Sequence, residues 1–269
     1  MKKKRLTTRA ALALIGLLLP ACIQTCESTT SDGVLTTGLR GDFRAVAGPE
    51  GDTRVTGEIR VGGGLSNVYL ELVGDDTLSV SRKKMVEKMI RRSEPFGMVR
   101  YHATLDGNSQ NEAISVAFRR AVDKGAPAST VTMPPAFELV SPAAGATLSR
   151  ASDPLEVRWK GTSPNDKMTV VVSGTCVEGF SRTVEVDGGS LVLPPGALRT
   201  SDPAGSMAPM EPAGQGGNAG APVPVSAGER CKVEIRAART RTGRIDPGFG
   251  QGGSITAEQY REVRINSVP

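Results

Sequence analysis

Short alternating runs, frequent turn signals and few aromatic residues predict an all-β protein of two β-sandwich modules in tandem. Apolar and polar residues alternate with the period of a half-buried strand. The runs recur roughly every 8 to 14 residues, with Gly, Pro, Asp or Asn between them, which is the spacing of sandwich strands. The 269-residue chain holds 32 Gly and 18 Pro, and is 38% apolar but only 4% aromatic, so valines rather than large rings must fill the core.

The first module spans residues 34–133. From Asp52, Val55, Gly57, Ile59 and Val61 share one face, and Arg54, Thr56, Glu58 and Arg60 the other. Gly62-Gly63-Gly64 breaks this strand. A glycine run can cradle phosphate where a helix begins after it. Here Val68, Leu70 and Leu72 open a second strand instead, so the run reads as a turn. Gly74-Asp75-Asp76 turns into Leu78 and Val80. Residues 81–97 admit two readings. One is a short helix capped by Ser81, with Met85, Val86, Met89 and Ile90 on one side. The other is a basic hairpin. Either way Lys83, Lys84, Lys88, Arg91 and Arg92 form a basic face, suited to solvent or to an anionic membrane. Val99, Tyr101, Ala103 and Leu105, then Ile114, Val116 and Phe118, give two further strands.

Pro134-Pro135 marks the internal boundary, and the second module spans 134–269. Leu155, Val157 and Trp159 face in, followed by Met168, Val170 and Val172, then Val184 with Val186, and Leu191 with Leu193. The last strands expected are Cys231–Arg236 and Glu262–Ile265. The Pro142 opening, the Leu155-x-Val157-x-Trp159 strand and the Cys231-x-Val233-x-Ile235 strand resemble a fibronectin type III or immunoglobulin-like sandwich. Trp159 precedes both Cys176 and Cys231, whereas an antibody-type domain has its Trp between them. Residues 200–228 interrupt this module with 17 Gly, Ala or Pro among 29 residues, a composition unable to bury a core and expected to be disordered. In Asp246–Gly253, Phe249 is expected to plug a core edge while glycines take positive φ.

The N-terminus carries an address. Lys2, Lys3, Lys4, Arg5 and Arg9 precede a short apolar run ending at Leu19-Pro20-Ala21-Cys22, the layout of a secretory signal over residues 1–21. The run is too short for a bilayer span, which needs about 20 apolar residues. Leu19, Ala21 and Cys22 resemble the lipobox of bacterial lipoproteins, with Pro20 departing from it. That resemblance implies a diacylglyceryl group on Cys22 (with palmitate among its acyl chains), cleavage after Ala21 and an acylated new amine. Ile23 in place of Asp implies sorting to the outer membrane, the protein facing the periplasm or the surface. Residues 22–33 read as a flexible tether, which leaves the fate of Cys26 open. The chain also resembles predicted bacterial lipoproteins with paired modules, a resemblance that carries no activity.

Charge and cysteine usage narrow the function classes. Removing the five cations of the leader leaves 28 basic against 28 acidic residues, so no basic excess points to nucleic acid. Export to an oxidising compartment favours a Cys176–Cys231 disulfide. His102, the single histidine, stands mid-strand opposite Tyr101 and reads as structural rather than catalytic. No metal set or cofactor motif appears; Asp75, Asp76, Asp106 and Asn108 lack the ligand spacing of a calcium loop. Arg40-Gly41-Asp42 and the Met207/Met210 pair are short enough to be incidental. The sequence therefore predicts a non-enzymatic, lipid-anchored envelope protein, bound to the membrane through Cys22 and to an envelope protein or glycan of unknown identity. A carbohydrate-binding module and a carboxylate-dependent hydrolase are the alternatives.

Overall fold

The computed structural model describes residues 27–49, 51–200 and 230–269. The leader, Cys22, Cys26 and all but Thr200 of the Gly/Ala/Pro-rich insert lie outside these residues. The first module contains β1 (Glu27–Thr30), β2 (Leu39–Ala47), β3 (Thr53–Val61), β4 (Val68–Glu71), β5 (Thr77–Arg82), β6 (Met85–Lys88), β7 (Ile90–Ser93), β8 (Val99–Leu105), β9 (Ala113–Arg119) and β10 (Ala126–Thr132). The second adds β11 (Glu138–Ser141), β12 (Thr147–Ser149), β13 (Leu155–Lys160), β14 (Lys167–Gly174), β15 (Phe180–Val184), β16 (Ser190–Leu193), β17 (Cys231–Thr242) and β18 (Gly253–Val268).

Two sandwiches share one long sheet. In the first, β1, β4, β3, β2 and the start of β18 form one layer, with β8 on β3 and β7 on β8; the facing layer is β10-β9-β5-β6. In the second, β12, β18, β17, β14 and β15 face β11-β13-β16. The expected all-β architecture of two sandwich modules is what the chain adopts. The alternation read from the sequence fills two separate cores, one around Ile59, Tyr101, Phe118 and Val116, the other around Val157, Trp159, Val170 and Ile235.

After building most of the second sandwich the chain returns to the first, and only then ends in the second. Gly253–Gln259 of β18 pairs in parallel with Gly41–Ala47 of β2, and Phe249, Ile255 and Ala257 belong to the first core. The division at residue 134 therefore needs correcting, because residues from about 243 to 259 complete the first sandwich. Phe249 does plug that core, stacked on Phe118 at 5.9 Å and tilted against Phe43 at 5.8 Å. Gly253 has φ 142°, and a Cβ there would lie 1.8 Å from the Gly41 carbonyl oxygen, so only glycine lets these parallel strands meet.

Two other expectations shift. Residues 27–33 are not free tether: Glu27–Thr30 adds to β4 in parallel, and Ser31 is buried with its hydroxyl accepting from the Val73 N–H at 3.1 Å. The open edge of β4 supplies hydrogen bonds that this Thr-rich segment satisfies. Residues 81–97 resolve as strands. Lys83 turns at φ 54°, and Met89 is buried where the chain crosses from one layer to the other. β6 and β7 thus edge opposite layers on the same side of the first sandwich.

Cys176 and Cys231 form a disulfide, their Cα atoms 5.7 Å apart and 55 residues apart in sequence. It ties the end of β14 to the start of β17, neighbours in one sheet. Closing a loop of that length contributes roughly 4 kcal/mol on the chain-entropy model.

A buried ion pair holds the junction. Arg239 of β17 is fully buried; it donates to Asp187 at 2.7 Å and to the Pro135 carbonyl at 2.9 Å, and also to the Gly161 carbonyl. Asp187 also accepts the Trp159 indole N–H at 2.5 Å. Asp187→Ala would strand a buried guanidinium and cost about 3–5 kcal/mol. Arg264→Ala, which removes the exposed partner of Glu234, should cost at most about 1 kcal/mol. Urea unfolding of the two variants, read against the parent, measures the difference.

Candidate functional site

The outward face of the first module's shared sheet collects the polar residues that alternate with its core. Parallel and antiparallel registers set them in rows. Ser254, Asp42 and Glu58 are direct neighbours across β18, β2 and β3. Thr256, Arg44, Thr56, His102 and Ile90 form the next row, from β18 to β7. Together with Phe43 and Arg100, most of these residues line an open cleft of about 460 Å³.

Charge on this face is locked in place. Asp42 accepts from Arg40 at 2.8 Å, Arg60 at 2.7 Å and Ser254 at 2.9 Å. Burial pushes the Asp42 carboxyl up, but the hydrogen bonds from Arg40, Arg60 and Ser254 outweigh it and hold it below the ordinary carboxylate range. Glu58 accepts from Arg100 at 2.6 Å, a bond that raises the Arg100 guanidinium further. Glu258 is gripped by Arg44 and by Arg236, the latter at 2.6 Å. General-base work at neutral pH asks for a group tuned close to that pH. Asp42 is tuned the other way. What the rows offer is a fixed lattice of donors and acceptors for a polar surface.

His102 is the exception. Its Nε2 is buried without a hydrogen bond, and Glu94 lies 3.7 Å away, beyond hydrogen-bonding distance. Burial depresses its pKa, the neighbouring Arg92 adds to that, and Glu94 pulls weakly the other way. Burial and Arg92 both favour the neutral imidazole over the charged one.

The remaining candidates separate. Asp75 and Asp76 lie at the end of the sandwich near Ser31, where Asp76 is buried and binds Arg120 at 2.8 Å. Asp106 and Asn108 lie at the opposite end, beside Thr53, which donates to the Gly107 carbonyl at 2.8 Å. These four do not converge, and among the described residues no group of three or more His, Cys, Asp or Glu is placed to hold a metal. Arg40-Gly41-Asp42 is strand, not a presented loop: Arg40 and Asp42 bind each other and a Cβ on Gly41 would strike Phe249. Among the described residues Phe96 is the one exposed aromatic ring, with Phe180 and Tyr260 half-buried. Sequence reasoning missed the ladder itself, because the β18–β2 pairing that assembles it joins residues more than two hundred positions apart.

No family model matches the chain, and no curated protein matches it. Solved structures with similar strand arrangements include DIP-gamma IG1+IG2 at 9% identity and TM-score 0.24, covering 87% of this chain and 100% of that one. The chicken CNTN1 FN1-FN3 domains are 12% identical at TM-score 0.21, covering 86% and 64%. The adhesin InvE of Yersinia pseudotuberculosis is 15% identical at TM-score 0.21, covering 86% and 59%. Likenesses at these scores carry no function across, and the fold class rests on the strand order itself.

The depressed His102 pKa has a consequence for stability. The unfolded imidazole, near 6.5, binds its proton before the folded one does, so stability is present above that pH and falls as pH drops below it. His102→Gln should flatten the fall between about pH 6.5 and pH 5 in urea titrations. An unchanged slope would show that His102 is not the group responsible.

Proposed function

We propose that the chain is a lipid-anchored protein of the bacterial outer membrane, with a non-enzymatic binding or spacing role, held through Cys22 and presenting its two sandwiches to another envelope component. The observation that carries this reading is the combination of a lipobox-like Leu19-Pro20-Ala21-Cys22 with a body whose first described strand begins at Glu27, five residues after Cys22. A short lead into an ordered strand suits an anchored body. Triacylation of Cys22 would make attachment lasting, since each buried methylene contributes about 0.8 kcal/mol and a single chain holds only marginally. Among the described residues no helix is long and apolar enough to cross a membrane, so the lipid would supply the attachment.

The body supports a binding or spacing role over catalysis. Its strongest charged groups are tied to one another: Arg239 to Asp187, Arg241 to Asp166, Arg120 to Asp76 and Asp42 to two arginines. Such groups organise a shape rather than move protons. The polar ladder around Thr56 and His102 is the surface best suited to a partner, through alternating donors and acceptors of a protein or glycan rather than through a deep pocket.

Cys22→Ser should abolish palmitate incorporation, leave the precursor uncleaved and shift the protein out of the outer-membrane fraction. Normal maturation of that variant would overturn the anchor.

A further inference from the structure

We infer that the free end of the first sandwich is a membrane-docking face, its loops carrying Leu35, Leu65, Phe96 and Val122 into the bilayer interface beneath the Cys22 anchor. The inference rests on the lipid anchor proposed above. Among the described residues these four are the most exposed large apolar side chains, at 66%, 104%, 69% and 77%. Scattered apolar residues on a surface are ordinary, but the four most exposed gathering at one end are not.

Their shared position follows from the connections. Leu65 sits in the loop between β3 and β4, and the first residue of that loop, Gly62, donates to the Gly38 carbonyl at 2.8 Å. Gly38 in turn donates to the Leu35 carbonyl at 2.9 Å. Val122 follows β9 in the loop whose Asp123 accepts from the Thr36 N–H at 2.6 Å. Phe96 tips the turn between β7 and β8, which extends past the Arg100–Glu58 contact toward the same end of β3. The second sandwich lies at the other end, reached by β18 as it runs on from its pairing with Ala47.

Two further observations select the bilayer as the occupant. The chain enters at this end: Glu27 pairs with Val68 at the start of β4, and its N–H donates to the Asn67 carbonyl at 3.2 Å. Five residue steps separate it from Cys22, and at roughly 3.3–3.6 Å per step they reach at most about 18 Å. A lipid on Cys22 thus keeps this end, not the second sandwich, close to the headgroups. Phe96 also holds φ 64° between Pro95 and Gly97, an uncommon conformation for a bulky residue, which points its ring to solvent instead of the core. Exposed charges nearby are of both signs, Asp32 and Asp75 against Lys124 and Arg92, so the contact is apolar and should depend little on salt.

The test uses the lipidated full chain in vesicles of phosphatidylethanolamine and phosphatidylglycerol with brominated acyl chains. Leu65→Trp, Phe96→Trp and, as a control on the second module, Val192→Trp are compared. Bromine should quench the new indoles at 65 and 96 and leave that at 192, like native Trp159, unquenched at both low and high salt. Co-flotation with vesicles but no quenching at 65 and 96 would overturn the docking face and leave the anchor standing. Equal quenching at all three sites would also overturn it. A chain that fails to incorporate palmitate or to co-float loses the anchor, and the orientation with it. A second copy as the true occupant would show as a dimer of the Cys22→Ser form in sedimentation, lost in Leu65→Ser/Phe96→Ser, and would overturn the inference.

Discussion

β17 and β18 pair at twelve consecutive positions, and their odd-numbered residues face inward along the whole length. That one hairpin must serve two hydrophobic cores, which an unbroken apolar stripe could not keep apart. The stripe changes character at the join. Cys231, Val233, Ile235 and Ala237 are buried among apolar neighbours, and then come Arg239 and Arg241. On the other strand Ile255 and Ala257 give way to Gln259 and Arg261 before Val263 and Ile265 resume. The seam's donors find specific partners: Asp187 for Arg239, Asp166 for Arg241, the Asn108 carbonyl for the Gln259 amide N–H and the Phe137 ring for Arg261, while the Gln259 Oε1 is buried without a hydrogen bond. Buried charges without such partners would be prohibitively costly.

The opposite face of the join is tied as well. Arg44 from the first sandwich and Arg236 from the second both grip Glu258, and Arg236 also binds Glu262 at 3.0 Å and lies 3.7 Å from the Tyr260 ring centre. At this level β2, β18, β17 and β14 overlap, since Ala47 pairs with Gln259, Thr240 with Glu258 and Lys167 with Thr240. A hinge here would have to open ladder hydrogen bonds and expose the Arg239 pair together. Two modules that the sequence divides at Pro134-Pro135 therefore behave as one continuous body.

Most strands were legible because a half-buried strand writes its burial into a period of two. Val55 to Ile59, Val99 to Leu105 and Leu155 to Trp159 kept the phase that alternation assigns them. The ends of β17 and β18 were not legible, for the reason the seam exists: Arg239, Arg241 and Gln259 face inward while reading as outward. The ordering of residues 27–33 was hidden too, since its cause is the open edge of β4 and not its own composition. Residues 81–97 stayed ambiguous because Met85, Val86, Met89 and Ile90 fit a helical stripe, and only Met89 turned out to be buried. The polar face suffers a further handicap. His102 announced itself by being single, but its depressed pKa comes from Arg92 and from burial between β7 and β3, neither visible in its own strand.

Rigidity at the join gives the two ends of the molecule different work. The free end of the first sandwich is built from loops whose backbones are pinned by buried groups, above all Arg120, which reaches Asp76 and the Val34 carbonyl while fully enclosed. Fixing the loop stems while exposing Leu35, Leu65 and Val122 at their tips is a costly arrangement for a surface that meets only water, because the apolar area stays hydrated. It is a favourable one for a surface that meets lipid. With that end seated, the stiff seam would carry the orientation through to the second sandwich. The polar ladder, lying along the side of the shared sheet rather than at either tip, would then face laterally, where another envelope component could reach it.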